Sequence, residues 1–166
     1  LAPEFYREVV NLIRSGYDAF VINRRTIPDI FDGVRDIPKM LLEKGEPHPG
    51  YDCFVFPRKH YRNYRLGEAC VGTKWIGRLL VLNLMIHAER FEIFREAHLT
   101  FHLGDRKEWK NPEYAPYRRH NENEMFKVLS SYEADGYLEK SRVLSEAWKP
   151  LFIKYVREKE LPHPGL

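Results

Sequence analysis

The chain has 166 residues, with 27 Lys and Arg against 24 Asp and Glu, a formal net charge of +3, and 43% hydrophobic residues. That is enough apolar material for a core and argues against a disordered chain, while the mildly basic balance permits an RNA partner without requiring one. Two cysteines, Cys53 and Cys70, with no CxxC spacing argue against a disulfide framework and suit reduced thiols.

The first elements are helical in pattern. In "APEFYREVVNLIRSG", Phe5, Val9, Leu12 and Ile13 recur at helical spacing behind Pro3, which suits a first turn. "TIPDIFDGVRDIPKMLLEKG" reads as a second helical stretch, capped at Thr26, kinked at Pro38 and stopped at Gly45. "EPHPGYDCFVFPRKHYRNYRLGEACVG" has many prolines and glycines and reads as extended, with one strand near Cys53–Phe56. Residues 1–72 thus read as a largely helical and extended N-terminal arm rich in Pro and Tyr.

The remainder, 73–166, is more regular. Thr73 to Phe94 reads as one long helix with an apolar face of Ile76, Leu79, Leu80, Leu82, Met85 and Ile86. "AHLTFHL" alternates with period two, placing Leu99, Phe101 and Leu103 opposite His98, Thr100 and His102. "GDRKEWKNPEYAPYRRH" is a polar loop. "NENEMFKVLSSYEADG" is a helix with Met125, Phe126, Leu129 and Tyr132 inward, and Gly136 suits its left-handed end. "YLEKSRVL" and "KPLFIKYV" follow as two strands. Helix, strand, helix, strand, strand is an α+β unit, with two helices packed on a small mixed sheet.

Catalytic signals are missing. His98 and His102, four strand residues apart, stand about 13 Å from each other and cannot share a metal. His87 lacks an HExxH partner pattern, and Glu89, Glu92 and Glu96 interleave with Arg90 and Arg95 as a solvated face. There is no GxSxG, P-loop or GxGxxG, and Ser130 and Ser131 have no evident base. The expectation is a non-enzyme with no cofactor, no metal and no small-molecule substrate. The longest apolar run, Leu79 to Ile86, is too short for a membrane span.

The basic stretches carry more. In "PRKHYRNYR", Arg58, Lys59, Arg62 and Arg65 interleave with Tyr61 and Tyr64. Cations pair with phosphates, and flat rings stack on unpaired bases or pack on sugars. The competing reading is a surface loop of snorkelling cations. "YRRH" places Arg118 and Arg119 just before a helix start, where amides and guanidiniums together favour a phosphate.

From about Leu79 to Tyr155 the chain resembles the N-terminal half of the small-subunit ribosomal protein S-eight family. "LNLMIHAER" stands where that family has its first helix, with His87 in place of the usual Asn. "REAHLTFHL" corresponds to its strand, "VLSSYEADGYLEKSRV" to its second helix and the Gly-Tyr-aliphatic turn at Gly136, Tyr137 and Leu138, and "KPLFIKYV" to the strand pair. Two departures stand out. The loop "GDRKEWKNPEYAPYRRH" is long, and the family's C-terminal half with its Ser-Thr-Ser-lysine-glycine phrase has no counterpart. The first seventy residues look like the extensions of mitochondrial ribosomal proteins. The resemblance implies a structural constituent of the small ribosomal subunit, in the mitochondrial matrix or else the cytoplasm. It would bind rRNA, and its N-terminal extension would touch other ribosomal proteins. The family's own RNA-anchoring residues do not carry over, and the candidate RNA-binding residues, taken from position and charge, are Arg58, Lys59, Arg62, Arg65, Arg90, Arg95, Arg118, Arg119, Lys140 and Arg142.

Two other functions fit parts of the sequence. A helix, a glycine and two strands also describe the end of a winged-helix DNA-binding regulator, although "NENEMFKVLSSYEAD" is too acidic for a phosphate-lined groove. "FYREVVNLIR" shares Tyr6 and Arg7 with the Leu-Tyr-Arg motif of respiratory accessory subunits, which would make the chain a non-catalytic part of another organelle complex.

Overall fold

A computed structural model describes residues 1–48, 50–104 and 110–137. The two strands expected after Gly136, with Lys140 and Arg142, lie outside the described residues. Within them the fold is α+β: five α-helices and two three-stranded mixed sheets.

Helix α1 (Phe5–Arg14) leads into β1 (Ala19–Ile22), then β2 (Arg25–Ile27), α2 (Ile37–Leu42), β3 (Glu46–Pro47), β4 (Cys53–Val55) and the one-turn α3 (Arg58–Tyr61). Helix α4 (Ile76–His87), β5 (Phe91–Phe94), β6 (Phe101–Leu103) and α5 (Ala115–Ala134) complete the described elements. In the first sheet β1 lies between antiparallel β4 and parallel β5, with Phe20 opposite Val55 and Glu92. In the second, β2 lies between antiparallel β3 and parallel β6.

The sheets are successive stretches of one ribbon. Across the break between β1 and β2, Asn23 N–H donates to Phe94 O (2.9 Å) and Arg25 N–H to Thr100 O (3.0 Å). The central strand thus stays paired on that side while 95–99 loop out. The expected arm supplies the central strand of each sheet, and strands from beyond position 73 pair with both.

β1 was missed by the periodicity reading because it does not alternate. All four residues of "AFVI" are buried, as suits a strand covered on both faces. Ala19 and Val21 face a core with Leu79, Leu82, Met85, Met125, Leu129 and Tyr132, so α4 and α5 pack on one face of the sheet as expected. Phe20 and Ile22 face Phe5, Val9 and Leu12 of α1. The fully buried Phe20, Val21, Ile22, Leu79, Leu82 and Leu129 side chains each contribute about 1.5–3 kcal/mol by leaving water.

The long helix ends early. It stops at His87, and Phe91–Phe94 is a strand instead of a last helical turn. Asp18 decides this from more than seventy positions away: its carboxylate accepts the N–H groups of Glu89 (2.9 Å) and Arg90 (2.8 Å). The chain beyond is thereby aimed along β1, where "FEIF" sends Ile93 to one core and Phe94 to the other.

The second helical stretch is likewise shorter. Thr26 pairs within β2 rather than capping a helix, and the helix runs only over Ile37–Leu42. Gly45, expected as a stop, has φ +52°, and a Cβ there would meet Thr26 O at 2.7 Å. Only glycine tolerates both the left-handed backbone and that approach. Of the "AHLTFHL" strand only Phe101–Leu103 forms. Thr100 is buried and Leu103 exposed, and His98 adopts φ +50°. Helix α5 starts six residues before the expected "NENE" cap, with Pro116 in its first turn, and Asn121 lies inside it. Its end is as expected: Gly136 has φ +70° and its N–H donates to Glu133 O (2.9 Å).

Candidate nucleic-acid interface

The stretch "PRKHYRNYR" folds as a run of tight turns. Pro57, extended at ψ 133°, leads into α3, and His60 N–H to Pro57 O (3.0 Å) and Tyr64 N–H to Tyr61 O (3.2 Å) close the turns. Arg58, Lys59, Tyr61 and Arg62 are exposed on this segment, Tyr61 at 55%.

Beneath them runs a chain of rings. Phe56 and Tyr61 stack at 6.2 Å with an interplanar angle of 18°, and Tyr64 meets both, at 5.3 and 6.1 Å. Tyr64 stacks in turn on His87 (5.5 Å, 27°), whose ring contacts Tyr132 and Tyr137. Such pairs contribute about 0.5–1.5 kcal/mol each beyond the area they bury.

Arg65 is the inward member of the basic stretch. Its guanidinium donates to Ser131 Oγ (2.9 Å) and Asp135 Oδ2 (2.5 Å), and lies over the Tyr132 ring at 4.5 Å. Its charge is already matched by Asp135, and it ties the turn to the end of α5.

The irregular backbone after α3 is held by buried polar side chains of α4 and α5. Asn83, fully buried, accepts from Arg65 N–H (2.6 Å) and donates to Arg65 O (2.9 Å), as a strand partner would. It also donates to Leu79 O (2.8 Å) and accepts from the Tyr132 hydroxyl. Glu124 accepts from Glu68 N–H (3.0 Å). Asn121 brackets Cys70, accepting from its N–H (2.7 Å) and donating to its carbonyl (2.8 Å). Backbone groups of an irregular segment at a core need such partners.

Burial sets the titration of the inner groups. Desolvation pushes the Tyr64 phenol above its ordinary value, so it stays protonated. Desolvation, then the nearby His60 and Arg65, holds His87 below the usual imidazole value, although the Asn63 carbonyl pulls the other way. Glu124 is held below the usual carboxylate range by Glu68 N–H and then Lys127.

The other expected cations are dispersed. Arg90 donates to Ser15 O (2.7 Å) and lies 4.0 Å over the Tyr17 ring, in the turn before β5 and not on a helix. Arg95 follows β5 and lies 5.9 Å over Tyr51. Arg118 and Arg119 sit within the first turns of α5. Arg118 folds back to Asn111 O (3.0 Å), and Arg119 is exposed. Arg119 is twelve residues from Ser131, so it stands about 18 Å along the helix from the point where Ser131 anchors Arg65. Sequence reading missed His87 and Tyr132 as the backing of Tyr64. They lie in other elements, and no local signal links them. It also missed Arg78, exposed over the Trp75 ring at 4.9 Å.

Among the described residues no group of three or more His, Cys, Asp or Glu is placed to hold a metal, and no helix is long and apolar enough to cross a membrane. Cys53 and Cys70 are both free thiols. Nothing matches this chain among family models, curated proteins or solved structures.

Proposed function

We propose that the chain is a structural constituent of the small ribosomal subunit, in the mitochondrial matrix, that contacts rRNA through the α3 turn and neighbouring ribosomal proteins through α1. One observation carries the RNA contact: Arg58, Lys59 and Arg62 are exposed around an exposed Tyr61 on a turn backed by stacked rings. Cations next to a flat, supported ring are what a phosphate and a base need. The helix, strand and helix that the resemblance to the S-eight family implies correspond to α4, β6 and α5, with β5 as an additional strand between α4 and β6. Three exposed cations on the turn imply few phosphate contacts, in keeping with a net charge of only +3.

The protein contacts are supported by α1. Its inner face packs on the sheet, yet Tyr6, Val10 and Ile13 form an exposed apolar stripe at i, i+4, i+7 spacing. The same stripe supports the second reading, an accessory subunit of a respiratory assembly. A winged-helix regulator has less support, because β5 and β6 separate α4 from α5 where a tight helical turn is needed.

Sedimentation of a lysate containing the tagged chain, followed by sequencing of crosslinked RNA, tests the proposal. Co-migration with the small subunit and crosslinks to its rRNA are expected. Migration with another large assembly without RNA moves the respiratory reading to first place. Migration as a small free species overturns both.

A further inference from the structure

The register of α3 says what form of RNA the turn suits. Helical backbone continues from Arg58 through Arg62, which has φ −64° and ψ −21°. In such a backbone, residues three and four apart share a face, with Cβ atoms about 5–6 Å apart. Arg58, Tyr61 and Arg62 have that spacing and share one face. Lys59 borders it on the Arg62 side.

Tyr61 packs against two neighbouring rings. Phe56 lies nearly parallel to it at 6.2 Å, and the Tyr64 ring meets it at 70°. With Phe56 covering one side and 55% of the residue exposed, the other side of the ring faces solvent. The ring is therefore a supported platform with one open side and cations on the same helical face. A base in a duplex has both sides covered by its neighbours in the stack. Only an unpaired base can lay its plane on such a platform. A phosphate-only contact would use the cations and leave the ring idle.

From this register we infer that the α3 face seats an unpaired nucleotide of single-stranded RNA, its base stacked on Tyr61 and its flanking phosphates met by Arg58, Arg62 and Lys59. This rests on the RNA-binding reading above and adds the form of the ligand. Stacking on the Tyr61 ring is open to any base, because every base has a π-face. Three phosphate partners give a log–log salt slope near −2 for a single strand, from about 0.7 per contact.

The test is fluorescence anisotropy with the full chain, using a short unstructured RNA oligonucleotide and an RNA duplex of the same length. The single strand should bind more tightly. Tyr61→Ala should weaken it about tenfold, and Tyr61→Phe should restore it, because the ring and not the hydroxyl is used. Arg58→Gln and Arg62→Gln, both at exposed positions, should each reduce the salt slope by about 0.7, which keeps the seat testable even if Tyr61→Ala disturbs the turn. Duplex bound as tightly as the single strand overturns the seat but leaves RNA binding standing. So does a Tyr61→Ala chain that melts like the parent and binds like it. A parent chain that binds neither RNA at low salt overturns the seat and the RNA-binding reading together.

Discussion

Asn83→Ala is the substitution that most directly tests how the α3 turn is held. Asn83 is fully buried, and its amide pairs with both the N–H and the carbonyl of Arg65 while accepting from Tyr132. Truncation strips both Arg65 backbone groups of this partner. A buried polar group left unmade costs about 1–3 kcal/mol, and the Tyr132 hydroxyl, 3.2 Å from Arg65 N, recovers part of one loss. The sum is about 3 kcal/mol, a large share of the roughly 5–15 kcal/mol that holds a typical domain folded. Urea unfolding should show a lowered midpoint with an unchanged slope. Amide exchange at Arg65 should accelerate beyond what global destabilisation explains. Tyr132→Phe removes the hydroxyl that bonds Asn83, Arg65 N–H and His87 and should cost about 1–3 kcal/mol. A change below 0.5 kcal/mol for Asn83→Ala, with Arg65 still protected, would refute the idea that this side chain acts as the turn's strand partner.

Other outcomes follow from the same structure. Gly45→Ala should destabilise by roughly 2 kcal/mol in thermal melts, since a Cβ there meets backbone at 2.7 Å in a left-handed conformation; parent-like melting would show the turn is free to move. Gly136→Val should cost roughly 1 kcal/mol or more, because φ is +70° at the end of α5, and an unchanged melting temperature would contradict that geometry. Burial holds both His87 and His98 below the usual imidazole value, so the folded state prefers them neutral. Their stabilising contribution is complete above the unfolded value of about 6.5 and is lost as pH falls through the lowered folded values. The urea midpoint should therefore drop between neutral and mildly acidic pH, and His87→Gln should flatten that drop. An equally steep drop in the variant would place His87 in solvent.

Much of the fold's local grammar was legible in the chain. Phe5, Val9 and Leu12 marked the inward face of α1, Leu79, Leu82 and Met85 that of α4, and Met125, Leu129 and Tyr132 that of α5, whereas Ile13, grouped with the α1 face, is exposed, and Val128 rather than Phe126 joins the core. Gly136 marked the end of α5, since a left-handed residue there has few alternatives. These are periodic or steric signals that a helix or turn expresses without help from distant residues. The basic and aromatic character of "PRKHYRNYR" was equally plain, because composition needs no fold.

What lay out of reach was decided by partners far along the chain. "AFVI" became the central strand because cores form on both of its sides. "FEIF" left a helical pattern because Asp18 captured the amides of Glu89 and Arg90 and β1 offered it a parallel edge. Arg65 looked like its neighbours Arg58 and Arg62. Only the arrival of Ser131, Tyr132 and Asp135 turned it inward and left the other two at the surface. The sequence by itself determined which residue types stand near one another in the turn, an i, i+3, i+4 relation set by short-range backbone geometry. Which charges remain unspent, and which ring is braced and left open on one side, depends on desolvation and pairing across the core, and these exist only once the chain has folded.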